Sequence, residues 1–178
     1  MMFNFANPTS EFILYLGVAL CIAFGYMMIR RVKLSRLIKK NQLTNSVVFR
    51  FGIETSLAIS QDGRIGVLNL RLQTIVIAIK EIVEFEVLLG RYCISNAKVS
   101  KNKGAIFSGI SERLEGIFAE EERFKEIAFI VQLKNNKIFG INLFKTSRLK
   151  ARVLPQNQKN ILFFFQTLHA IEQGLHEK

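Results

Sequence analysis

Few side chains in this sequence combine the type and spacing that chemistry needs. His169, Glu172 and His176 step by three and by four, which sets them on one face of a helix beside an apolar stripe. Imidazoles and a carboxylate so placed are donors a divalent metal takes. HxxExxxH supplies no fourth ligand, however, and a solvated helix face accounts for the same spacing, so no metal is expected. Cys93 has no histidine near it in sequence to act as a base, and a buried structural thiol is the expectation. The chain holds no GxxxxGK[ST] phosphate loop, no GxGxxG after a strand and no G-x-S-x-G elbow. The expectation is a protein that is not an enzyme and carries no cofactor.

The stronger chemistry is ionic. RRVKLSRLIKK carries Arg30, Arg31, Lys33, Arg36, Lys39 and Lys40, and no Asp or Glu lies between Glu11 and Glu54. Basic residues beside a bilayer attract anionic lipid headgroups, by roughly 1 kcal/mol each near the surface. Val32, Leu34, Leu37 and Ile38 are interleaved with the charges, which suits a helix continuing along an interface. A signal that only sets orientation explains the same charges.

The element that positions this collar precedes it directly. FILYLGVALCIAFGYMMI, Phe12–Ile29, is 18 residues without a charge, about the length of a helix that crosses a bilayer core. Residues 1–11 contain no Lys or Arg, and no A-x-A-like cleavage site follows, so the span is expected to be retained. The positive-inside rule puts the collar in the cytoplasm and the N-terminus outside. The expected location is therefore a bacterial inner membrane, crossed once. Gly17, Cys21 and Gly25 recur every four residues, a spacing that lets two such helices approach and self-associate; lone anchors show it too.

Net charge is +11, but six of the positive charges belong to the collar. The remainder, about 130 residues, is enough for one domain with a core and is only mildly basic, which argues against a nucleic-acid partner. Two cysteines, one of them in the apolar stretch, make no disulfide framework and fit a reducing compartment. The organisation read from the chain is a short extracytoplasmic segment 1–11, a transmembrane helix 12–29, a collar and polar linker 30–46, and a cytoplasmic domain 47–178.

Within that domain the period changes from helical to extended. Val47–Ile53, Leu57–Ser60, Ile65–Leu70, Thr74–Ile79, Ile82–Leu89, Ile127–Leu133 and Ile138–Phe144 read as strands, with Tyr92–Ile94 as a shorter one. Gln61-Asp62-Gly63-Arg64 and Asn135-Asn136 read as hairpin turns, because Gly and Asn tolerate positive φ. The unbroken apolar run TIVIAI predicts a central strand. In Ile82–Leu89 the alternation sets Val83, Phe85, Val87 and Leu89 on one face. Pro155 suits the first turn of a closing helix whose stripe is Ile161, Phe164, Leu168, Ile171 and Leu175. The fold class is thus α+β and mainly β: one N-terminal helix, about seven antiparallel strands and a C-terminal helix.

That order matches the pleckstrin-homology-like architecture. SLAISQDGRIGVLN followed by IKEIVEFEV resembles uncharacterised small bacterial proteins with such a domain, many of them membrane-anchored. The resemblance is best over Leu57–Leu89 and weaker through Ile127–Phe144 and the final helix. It implies a fold and transfers no functional residue. Family members often carry a glycine-rich insert where Gly104–Gly116 stands here.

The reading that follows is a membrane-tethered binding or regulatory module with a protein partner. Its build suits envelope regulation, or an immunity or exclusion role encoded by a mobile element. Sensing of anionic lipid is the alternative. The expected partner surface is the irregular stretch with Lys98, Lys101 and Lys103 followed by Ile106, Phe107, Ile110, Leu114 and Phe118, which breaks the strand pattern yet keeps apolar residues at helical spacing. Packing of those apolar residues on the sheet is the competing reading.

Overall fold

The computed structural model describes residues 8–51, 55–95, 106–146 and 151–176. Helix α1, Pro8–Lys40, is a single 33-residue rod. Its apolar half is long and apolar enough to cross a membrane by length and composition, and at its start Phe12, Ile13, Leu14 and Tyr15 are each about two-thirds exposed.

Four short strands follow as an antiparallel meander: β1 (Val47–Phe51), β2 (Thr55–Ile59), β3 (Arg64–Leu68) and β4 (Thr74–Ala78). The β2–β3 turn uses Gly63 at φ +79°, as QDGR requires. A 3-10 turn at Ile79–Glu81 leads into β5 (Ile82–Leu89) and β6 (Tyr92–Ser95). Helix α2 (Ile110–Glu120) and the two-residue β7 (Arg123–Phe124) precede a long hairpin of β8 (Glu126–Leu133) and β9 (Ile138–Lys145). Asn136 takes φ +61° at its turn. Then come β10 (Ala151–Arg152), paired with β7, and α3 (Pro155–His176). The second sheet has the order β6-β5-β8-β9.

Between the sheets and α3 lies one core of Ile, Leu and Val with a cluster of phenylalanines at its centre. Phe129 is fully buried, with the rings of Phe85, Phe164 and Phe165 at 5.9, 5.8 and 5.4 Å. Ile161, Phe164 and Leu168 of the expected stripe are buried, and Phe165 joins them.

Several expectations are corrected. TIVIAI is not central: β4 is an edge strand of its sheet, and its run is apolar because Ile75 and Ile77 face the main core while Val76 faces the leucines of α1. In β5 the alternation breaks at its start, where a bulge against β8 between Ile82 and Glu84 turns Ile82 inward and leaves Val83 40% exposed. The expected partner surface is interior: Phe107, Ile110, Leu114 and Phe118 are all buried and Ile106 packs against them, because α2 fills the space beside β6 and α3. Lys98, Lys101 and Lys103 lie outside the described residues. Cys93 is exposed, not buried.

Candidate functional site: the seam between the long helix and the first sheet

Segment 30–46, read from sequence as a collar and linker, is folded onto the domain. Tyr26, Arg30, Leu34, Leu37 and Asn41 step by four, four, three and four, which makes one helix stripe. That stripe lies on the outer face of the first sheet, where Leu34, Leu37 and Leu43 bury against Ala58 and Leu68, with Ile38 and Val76 at the margin. Gly66 of β3 permits the approach: a Cβ there would stand 2.8 Å from a Leu43 methyl and 3.1 Å from one of Leu37.

Polar contacts run the length of the seam. The Tyr26 hydroxyl donates to the Leu70 carbonyl at 2.6 Å, in the β3–β4 turn. Arg30, 8% exposed, donates from Nη2 to Ser56 Oγ at 3.1 Å and from Nη1 to the Tyr26 hydroxyl at 3.3 Å. Of the six collar residues it is the one turned into the protein. Lys33 Nζ reaches the Leu72 carbonyl at 3.4 Å. The helix then stops without glycine. Gln42 takes φ +51°, and the Leu43 and Gln42 amides donate to Ile38 and Lys39 carbonyls at 2.9 and 3.2 Å. This is a Schellman termination, with Leu43 supplying its buried apolar contact. Arg64 donates to the Asn41 and Gln42 carbonyls at 2.6 and 3.0 Å and so clasps the helix end to the β2–β3 turn.

Asp62 orients Arg64 by accepting from Nε at 2.7 Å. That hydrogen bond, opposed by slight burial and aided by Ser60, holds the Asp62 carboxyl below its ordinary value. A depressed folded value means the pair's contribution is complete above the carboxyl's ordinary 3.8 and is lost as pH falls through the lower folded value. The contribution is small, because the carboxylate is about half exposed. The melting-temperature difference between wild type and Asp62→Asn is therefore expected to stay constant from pH 8 to about pH 5 and to shrink only in stronger acid. A difference that changes between pH 7 and 6 would contradict this assignment.

On one side of the seam, Lys33, Arg36, Lys39 and Lys40 wall an open groove of about 770 Å³ floored by Thr74 and Val76 of β4. On the other, Arg31 and Arg50 flank a cleft of about 300 Å³ beside Arg30 and Ser56. A third groove, about 580 Å³, runs between β1 and α3 past Val47, Phe163, Thr167 and Ala170. It lies by Asn45 and Gln61, at the end of the sheet where α1 stops.

Compared with protein-family models, with curated proteins and with solved structures, the chain matches none.

The side chains first singled out do other work. The Glu172 carboxylate is buried and accepts the Ile106 and Phe107 amides at 2.6 and 2.9 Å, tying α3 to the chain that enters α2. His169 Nδ1 is buried without a hydrogen-bond partner among the described residues, where no cluster of metal-ligating side chains forms. Partial desolvation of its sulfur and then the Glu86 charge raise the thiol of the exposed Cys93 above its ordinary value, the opposite of what activates a nucleophile. Gly17 and Gly25 have open space where a Cβ would be.

Proposed function

We propose that this chain is a single-span inner-membrane protein whose pleckstrin-homology-like domain is a non-enzymatic binding module held against the cytoplasmic face. The observation that carries the reading is the continuity of α1. An exposed apolar helix passes without a break into a stripe that is bonded to the first sheet over its whole length. A domain joined in this way cannot swing on a linker; it presents fixed surfaces at fixed distances from the bilayer. The arrangement of two four-stranded antiparallel sheets and a closing helix supports the pleckstrin-homology-like assignment.

The partner surface in this reading is the groove between β1 and α3. β1 is the edge strand opposite β4 in its sheet; its Val47 is 38% exposed, and Phe163 of α3 is 55% exposed beside it. An extended peptide adding to such an edge takes main-chain hydrogen bonds from the strand and side-chain pockets from the helix. The groove lies at the end of the sheet remote from Tyr26 and so faces the cytoplasm.

Two readouts on the full chain in cells test this. A cytoplasm-active reporter fused after Lys178 is expected to be active and a periplasm-active one silent; the reverse overturns the orientation. A photoreactive side chain at position 163 is expected to give a discrete protein adduct that the same group at Val83 does not give. Equal or absent adducts would remove the groove from the reading. A second reading, anionic-lipid sensing, is favoured by the four cations that wall the groove over β4.

A further inference from the structure

We propose that the cleft between α1 and the β1–β2 hairpin binds a single phospholipid with an anionic headgroup. The inference rests on the membrane reading above and narrows a diffuse collar of charge to one stoichiometric site.

The walls of this cleft are sorted along the helix. Phe24 and Met28 stand at its apolar end, 62% and 47% exposed, and Arg31 follows at the next turn on the same stripe. Arg50 approaches from β1, and Arg30 stands behind, fixed by Ser56. At 1.5 Å per residue, Phe24 and Arg31 are roughly 10 Å apart along the axis. A headgroup layer is about 5–7 Å deep on each side of the hydrocarbon core. An occupant that meets Phe24 and the arginines together must therefore be apolar at one end and anionic at the other, with the two ends roughly 10 Å apart, enough to reach from the hydrocarbon edge across the headgroup layer. A phospholipid fits this description; a soluble anion uses only half of the site, and an acidic peptide leaves Phe24 and Met28 in contact with nothing of its own kind.

The position agrees with the chemistry. Tyr26, bonded to the Leu70 carbonyl, pins the β3–β4 turn to the level where the apolar stretch ends, and a tyrosine at that depth suits the headgroup interface. Leu70 itself is 46% exposed there. The cleft volume, about 300 Å³, is at the lower end of the range for small-molecule sites and suits one headgroup rather than a patch of bilayer. Arginine, with its planar fork of donors, is the side chain that recognises phosphate bidentately. Arg50 has no place in a reading of the collar alone; the fold brings it there from 19 residues beyond Arg31.

The test uses the full chain, purified in mild detergent and presented with phosphatidylglycerol or phosphatidylcholine, with bound lipid counted by native mass spectrometry. One phosphatidylglycerol per chain is expected, and little phosphatidylcholine. Arg31→Gln with Arg50→Gln is expected to weaken retention about thirtyfold, while Lys39→Gln with Lys40→Gln, which line the other groove, leaves it unchanged. Equal retention of both lipids, unaltered retention in the arginine pair, or displacement of the lipid by excess inorganic phosphate would each overturn the site. Failure of the membrane reading looks different: the wild-type chain would then leave the membrane fraction on alkaline carbonate extraction, whatever lipid it binds.

Discussion

Ile110→Asp is expected to abolish the cooperative unfolding transition of the domain. Ile110 is 3% exposed and Leu114 fully buried, and with Phe107 and Phe118 they close the core beside α3 and β6. A carboxylate placed there is either ionised without a partner or protonated and still poorly bonded, and each state costs several kcal/mol. A domain of this size has about 5–15 kcal/mol in total. Leu114→Ala is the milder companion: a loss of roughly 2–5 kcal/mol, which lowers the melting temperature by about 2–4 °C per kcal/mol at this length. Val48→Asp, on the exposed face of β1, is expected to stay within about 0.5 kcal/mol of wild type. Thermal melts of the full chain in detergent, followed by near-ultraviolet circular dichroism, read all three. An Ile110→Asp protein that melts like wild type would return α2 to the surface and restore it as a partner site.

That helix shows where the sequence was ambiguous. Ile110, Leu114 and Phe118 at helical spacing announce an amphipathic element and say nothing of what covers its apolar side. Turn chemistry was easier to read: QDGR and Asn135-Asn136 carry residues that accept positive φ, and both close hairpins. The Pro155 helix was readable too, since a fixed φ at a first turn and an apolar stripe are both local signals. Contacts across the chain were not. The bulge that turns Ile82 inward depends on its pairing with β8. The Glu172 carboxylate, one of three side chains in a metal-like spacing, instead bonds two amides more than 60 residues away. The seam was partly visible. Tyr26, Arg30, Leu34, Leu37 and Asn41 form a stripe in the sequence, but it crosses the boundary between apolar stretch and basic collar, and the charges there masked it. Nor does the end of α1 carry a glycine: Gln42 adopts the left-handed conformation, held by the Schellman bonds and by Arg64.

Gly66→Ile is expected to lever α1 off the first sheet while the two-sheet core remains folded. The glycine sits beneath Leu37 and Leu43, where even a Cβ meets a methyl at 2.8 Å. A single methyl can be met by a small shift of those leucine tips, but a branched side chain displaces the helix itself. What is lost is the burial of Leu34, Leu37 and Leu43, roughly 1.5–3 kcal/mol for each side chain as an upper estimate, together with the Arg64 clasp. Loss of about 1.4 kcal/mol from the docking equilibrium already opens the seam tenfold more often, so proteolysis within 41–46 is expected to accelerate by at least about that factor, with the melting of the core little changed. Truncation gives the complementary result. A fragment of residues 30–178 keeps the stripe from Arg30 onward, with all three buried leucines, and is expected to run as a monomer in size-exclusion chromatography. One of residues 47–178 leaves Ala58, Leu68 and Val76 bare on the outer face of the sheet and is expected to associate or precipitate. If the shorter fragment is as soluble and monomeric as the longer one, and Gly66→Ile resists protease as wild type does, then α1 is not seated on the sheet, and the domain hangs from its anchor by a flexible tether instead.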